Sequence, residues 1–207
     1  MTSPQLPNLP SGWVVVTDRQ SVLDRIQQIA PEKYHLGGIE IRLDLWHGGQ
    51  PELLPQTGLS VLVTDRGGLD SPQRSHQRDH FCQIHGGLID VDPVTDAPAP
   101  AHQPWIFSSH RTESTEMSPQ QQVEQAREMG AIAAKIVMPE VSEENLRIAR
   151  ELPQSAPDFP IVCFCAGELG TSDRIRALDA GQPWGYARLG EHPHQIPGLP
   201  ILESLYS

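Results

Sequence analysis

Short apolar runs alternate with longer stretches of mixed polarity along nearly the whole chain. This pattern predicts βα units around a parallel sheet. Strands are expected at residues 13–16, 38–46, 59–64, 88–91, 105–108, 132–138, 160–165 and 184–188. Helices are expected at 21–29, 71–84, 118–129, 142–152 and 172–178, with a last helical turn at 201–206. Ser118-Pro119 supplies an N-cap and a proline at the first helical position, and Gly130 closes the same helix. Residues 92–104 stand where one more helix would fall, but they hold four prolines and predict a loop.

Eight strands in one chain favour a compact (β/α)8 barrel of the TIM type over an open sheet. An open doubly wound sheet would carry a Gly-rich phosphate turn after its first strand. Here Thr17-Asp18-Arg19-Gln20 follows instead, which weighs against nucleotide binding. The chain has 207 residues, fewer than the roughly 250 usual for such barrels. Loops must therefore be trimmed, with a helix missing near 92–104. The chain reads as one barrel domain, 1–207, with a flexible tail at 1–12 rich in Pro, Ser and Gln.

Composition narrows the classes. Hydrophobic residues are 38% and charged residues 20% of the chain, which excludes a disordered or membrane-embedded protein. The start lacks the basic and apolar stretches of a signal peptide, so a cytoplasmic location is expected. A net charge of −11 disfavours nonspecific nucleic-acid binding, which needs clustered Lys and Arg. Cys163 and Cys165 sit two apart on an expected strand and share a face. They read as small packing residues, with a metal pair as the alternative. His192-Pro193-His194 lacks the second ligand cluster of a tetrahedral site, and His76, His80 and His85 read as a solvated helix face and its end.

Four segments carry candidate chemistry. In residues 38–46, period two puts Glu40, Arg42 and Asp44 on one face and Ile39, Ile41, Leu43 and Leu45 on the other. In a barrel the charged face meets the interior, where charges must pair or bind a ligand; a mixed-charge edge strand fits the same pattern. Lys135 is the one lysine in an otherwise apolar strand. A desolvated lysine is a nucleophile toward carbonyls, although a lysine snorkelling to a strand end would look the same. His110 falls just past a strand end, where α/β barrels hold their active sites. The turn 167–174 leads Arg174 to a helix start, suited to a carboxylate, with Ser172 or Asp173 as the expected cap.

Taken in order, these segments resemble the type I 3-dehydroquinate dehydratases. The family's Glu-x-Arg-x-Asp strand is matched by Glu40-Ile41-Arg42-Leu43-Asp44, and its Thr-x-Arg by Thr64-Asp65-Arg66. Its Ser-x-His is matched by Ser108-Ser109-His110, with Thr115 at the interval of a Thr-Pro. Its Lys-Ile-x-x-Met-Pro corresponds to Lys135-Ile136-Val137-Met138-Pro139, one residue shorter. Its Gly-x-x-Gly-x-x-Ser-Arg turn is matched by Gly167 to Arg174, with Asp173 in place of Ser, and its Pro-Gly-Gln by Pro193-His194-Gln195.

The resemblance implies a TIM-type barrel and a Schiff-base dehydratase of the shikimate pathway. Its substrate would be a small anionic cyclic hydroxy-ketone, and it would need neither metal nor organic cofactor. Lys135 would form the imine and His110 would act as base and acid. Arg174 would hold the substrate carboxylate, while Glu40, Arg42, Arg66 and Gln195 would bind its hydroxyls and order the site. It also implies a homodimer. Three departures stand out. The family's Glu before the Gly-Gly pair is absent, since Arg66 runs straight into Gly67-Gly68. Arg111 stands where Asp is usual, and Ala166 where Met is common. These departures leave two other readings open: a Schiff-base lyase for another carbonyl substrate, and a non-catalytic carboxylate-binding barrel.

Overall fold

The structure, a computed structural model, describes residues 9–52, 58–110, 117–190 and 196–206. Its strands are β1 (Gly12–Thr17), β2 (Leu36–Arg42), β3 (Ser60–Thr64), β4 (Leu88–Val91), β5 (Trp105–His110), β6 (Ala133–Met138), β7 (Ile161–Cys165) and β8 (Trp184–Ala187). All pair in parallel, in the order β7-β6-β5-β4-β3-β2-β1-β8. The result is a nearly closed barrel with one seam, between β7 and β8. Around it lie α1 (Gln20–Ile26), α2 (Pro72–His85), α3 (Pro119–Glu128), α4 (Glu143–Glu151) and α5 (Thr171–Asp179). Among the described residues no helix is long and apolar enough to cross a membrane.

Alternation along the strands sorts the core. Inward residues such as Val14, Leu62, Leu88, Ile106, Val162 and Trp184 fill the barrel. Outward residues such as Ile39, Ile41, Val63 and Ile89 pack with Leu23, Ile26 and Phe81 of α1 and α2. Ala134, Ile136 and Cys163 meet Val123, Ala126 and Ala149 of α3 and α4. Cys163 and Cys165 are fully buried in that outer layer, as packing residues.

Local signals explain the helices. Ser118 accepts from Gln121 N while the Gln121 side chain accepts from Ser118 N, a reciprocal cap that starts α3. Ser142 caps α4 one way only, accepting from Asn145 N at 3.1 Å. The expected cap of α5 is not found. Gly170 occupies that position without a side-chain cap, and Asp173 instead accepts from Cys165 N at 2.8 Å. Gln182 does a parallel service, accepting from Cys163 N at 2.9 Å and donating to Cys163 O at 2.7 Å. Two side chains thus occupy the free edge of β7 at the seam, pairing Cys163 N, Cys163 O and Cys165 N without strand β8.

Several boundaries differ from expectation. β1 begins at Gly12 and Pro10 is already buried, so the expected tail at 1–12 reaches too far. β2 stops at Arg42 rather than at 46. The chain turns there into a 3-10 turn, Leu43–Leu45, because Asp44 folds back to accept both guanidinium N–H groups of Arg42 at 2.9 and 2.6 Å. β5 runs on to His110. The proline-rich stretch at 92–104 forms no helix. The fully buried Arg78 of α2 ties it down, donating to Ala97 O at 2.7 Å and Pro98 O at 2.8 Å.

Candidate active site

The ends of the strands open on a cavity of about 200 Å³ whose walls include Glu40, Arg42, Arg66, His110, Lys135 and Arg174. They come from β2, the end of β3, β5, β6 and the start of α5, and barrel closure brings them together. A larger groove of about 740 Å³ lies against α2 on the outside and shares none of these residues. The small volume, below the ~300–1,000 Å³ of sites for drug-sized ligands, suits a small metabolite.

Lys135 points inward from the middle of β6, between its outward neighbours Ala134 and Ile136. It is not the lone desolvated amine that an apolar strand suggests. Nζ forms an ion pair with Asp90, lies 3.4 Å from Glu40 Oε1, and sits 4.9 Å from the ring centre of Tyr186. The Thr64 hydroxyl donates to the same Glu40 oxygen at 2.6 Å. Burial pushes the Asp90 carboxyl up, but Arg66 and Lys135 outweigh it and hold it below the usual carboxylate range.

Arg66, just past β3, is the hub. Nη1 pairs with Asp96, and Nη2 reaches Asp90 at 2.5 Å, Ser108 Oγ at 2.8 Å and His110 Nε2 at 3.3 Å. Burial opposes its charge, but the Asp90 and Asp96 carboxylates raise its pKa further and keep it protonated. A guanidinium only donates, so this contact suits a neutral ring with the Nε2 lone pair turned toward Arg66. His110 ends β5 with its surface partly open to solvent, while the protein crowds its inner side. Burial first, then Arg66 and Lys135, hold its pKa well below the ordinary 6.5. The imidazole is therefore neutral and ready to accept a proton near pH 7.

Arg174 is delivered by the turn from Gly167 to Gly170. A Cβ on Gly170 would come within 2.2 Å of Cys165 O, so only glycine lets the turn sit this close to β7. The guanidinium lies 4.8 Å from the ring centre of Phe164, and Nη1 donates to Pro197 O at 2.9 Å. Its Nε is buried without a partner, and no carboxylate pairs with it among the described residues. Burial lowers its pKa to about 10. A buried cation on a cavity wall that no carboxylate pairs with is a site for an anion.

Of the residues named from sequence, Glu40, Arg42, Arg66, His110, Lys135 and Arg174 line the one cavity. Gln195, Arg111, Thr115 and the His192–His194 pair lie outside the described residues. Sequence reading missed Asp90, Asp96 and Tyr186, and gave Ser108 no role beyond its place in the motif before His110. Asp90 had a signal: it is the charged residue in the apolar run Leu88-Ile89-Asp90-Val91, and a strand buried on both faces tolerates a charge only with a partner. Among the described residues no group of three or more His, Cys, Asp or Glu side chains is arranged to hold a metal ion.

Comparison with known proteins agrees with this geometry. The family model described as "Type I 3-dehydroquinase" matches residues 90–207. No curated protein matches the chain by sequence. Among solved structures, the chain is similar to a dehydroquinate dehydratase and shikimate dehydrogenase from S. pombe, with TM-score 0.67 and 17% identity. That match covers 95% of this chain but 43% of the S. pombe one, so this chain spans less than half of that protein. It is also similar to 3-dehydroquinate dehydratase from Geobacillus kaustophilus HTA426, with TM-score 0.66, 16% identity, and 95% and 88% of the two chains covered. A type I enzyme from Clostridium difficile, solved with covalently modified comenic acid, gives TM-score 0.63 and 16% identity over 97% and 93% of the chains.

Proposed function

Since the chain belongs to the type I 3-dehydroquinase family, we propose that it converts 3-dehydroquinate to 3-dehydroshikimate and water through an imine on Lys135. One observation carries the reading: Lys135, His110 and the carboxylate-free Arg174 line a single small cavity at the strand ends.

The chemistry follows from the placement of the groups. The substrate carboxylate pairs with Arg174, which brings the ring ketone toward Lys135. Nζ gives up a proton, for which the Glu40 and Asp90 carboxylates stand in contact. It then attacks the carbonyl carbon, and loss of water gives the imine. Neutral His110 removes the proton alpha to that imine, and the electron pair is held as the enamine. The enamine then expels the β-hydroxyl, which leaves as water with the proton His110 has gained. Hydrolysis returns the ketone, now conjugated with the new double bond, and frees Lys135. Arg42, Glu40, Arg66 and Gln195 are assigned to the substrate hydroxyls. The protonated imine is the electron sink, and the residues present supply every proton transfer.

On the family's precedent the proposal extends to a single-domain, cytoplasmic enzyme of the shikimate pathway, assembled as a homodimer. Sedimentation of the purified chain tests the last point. The decisive experiment for the reaction is turnover of 3-dehydroquinate, followed by absorbance of the conjugated product, with and without Lys135→Ala. Turnover abolished by K135A, together with borohydride capture of substrate on Lys135, is the expected result. Full activity in K135A would refute the imine.

A further inference from the structure

The stretch between β4 and β5, in which no helix forms, carries a buried carboxylate. Asp96 is 2% exposed. Its Oδ2 pairs with Arg66 Nη1 and accepts from Asp92 N at 2.8 Å. Its Oδ1 accepts from Gly67 N at 3.0 Å and from the Thr95 hydroxyl at 2.9 Å. Four donors on two oxygens leave the side chain fully satisfied and join the ends of β3 and β4.

The consequence falls on Arg66. With Nη1 held from behind by Asp96, its planar guanidinium presents Nη2 to Asp90, Ser108 and His110. We infer that Asp96 is a positioning residue for the base His110, acting through Arg66. The loop at 92–104 thereby supplies an acidic residue where the shortened Arg66-Gly67-Gly68 turn has none. The inference rests on the dehydratase reading above. Without the Asp96 charge, Nη1 loses its partner, and the long arginine side chain is no longer held against Ser108 and His110. His110 then loses the cation that stands 3.3 Å from its Nε2 and orients the ring. Imine formation depends on Lys135 and its own carboxylates, so it should continue while proton abstraction slows.

The test is Asp96→Asn in the full chain. Asn keeps an acceptor for Gly67 N and removes the charge that holds Arg66. Turnover is measured with 3-dehydroquinate carrying deuterium at the abstracted position, beside borohydride trapping. Misplacing a base by a fraction of an ångström to 1 Å costs about 10–100-fold, so kcat in D96N is expected to fall by about that factor. The isotope effect should rise above that of the parent protein, and trapping on Lys135 should be unchanged. Because Asp96 acts through Arg66, the double variant R66K/D96N should be no worse than the poorer single variant by more than about twofold. A D96N variant with parental kcat and isotope effect, or losses that multiply with R66K, would overturn the inference. If D96N does not fold, Thr95→Val removes a single donor to the same carboxylate. A loss of about two- to threefold in kcat with the same rise in isotope effect is then expected, and an unchanged T95V counts against the proposal. Parent protein that neither turns over nor is trapped would refute the dehydratase reading instead, and that outcome is separate from any result on Asp96.

Discussion

Replacing Arg174 with Met should separate binding from stability. In the folded protein the guanidinium is buried, with an unpartnered Nε and a pKa lowered to about 10. Removing it relieves a buried unsatisfied donor, worth about 1–3 kcal/mol. It also removes the bond to Pro197 O at 2.9 Å and the stacking on Phe164. Those losses are of similar size, about 1–2 kcal/mol for the first and about 0.5–2 kcal/mol for the second. The terms nearly cancel, so the net change should stay within about 1 kcal/mol. For a chain of this length that moves Tm by no more than about 2–4 °C. Substrate binding has no such cancellation. A charge-assisted contact to the substrate carboxylate is worth about 1.5–3 kcal/mol, so kcat/KM should fall by about 10–150-fold at 1.4 kcal/mol per decade. The loss should sit mainly in KM, because the carboxylate is bound in both ground and transition states. Thermal melting and steady-state kinetics on one preparation make the assay. Unchanged KM in folded R174M would refute the carboxylate site, and a drop in Tm above about 10 °C would refute the cancellation.

Other predictions follow from the same contacts. The acid limb of kcat/KM should lie below pH 6.5, because His110 is held below that ordinary value; a limb above 6.5 would show that burial and Arg66 do not control the base. The same shift gives a stability slope. The unfolded chain takes up this proton first, so the contribution of neutral His110 is present above pH 6.5 and is lost as pH falls toward the folded value. The loss of stability between pH 6.5 and 5, measured by denaturant titration, should therefore be shallower in His110→Gln, with the effect reduced by solvent at the ring edge. Asp90, held below the carboxylate range, adds a further loss only below its ordinary 3.8. Arg78→Met removes the donors to Ala97 O and Pro98 O, and should cost about 3–5 kcal/mol in urea unfolding; a cost under about 1 kcal/mol would show that the loop holds itself. Gly198→Ala places a Cβ within 1.9 Å of Gly167 O at a φ of +76°. It should displace Pro197 from Arg174 and raise KM, whereas parental kinetics would show that the two segments move together.

Much of the frame was legible because its signals are local. The reciprocal cap at Ser118 and Gln121 starts α3 whatever lies across the molecule. The prolines at 92–104 forbid a regular helix by removing N–H donors. The apolar run into Lys135 reads as a strand, and period two puts Glu40 and Arg42 together on the inner face of β2. Gly170 and Gly198 look like ordinary turn residues in sequence. The close approach to Cys165 O and Gly167 O that demands them exists only once the turns have packed.

The electrostatic circuit could not be read in that way. Period two assigns a face but not a partner. Which carboxylate meets which cation depends on barrel closure, which brings Asp90 of β4 and Glu40 of β2 to Lys135 of β6. The turn at Arg42 depends on Asp44 folding back, which competes with strand extension and wins because the charge would otherwise lie unpaired. Asp173 looks like a helix cap in sequence, yet the seam between β7 and β8 gives it an unpaired N–H of Cys165 to accept. Asp96 carries no local mark at all, and only the fold sets it behind Arg66. The sequence by itself determined most of the strands and helices, since these rest on periodicity and local caps, and it marked Lys135 and His110 as candidates. The tertiary structure alone decided their partners, because the energy of a buried charge depends on what closure places within a few ångströms of it.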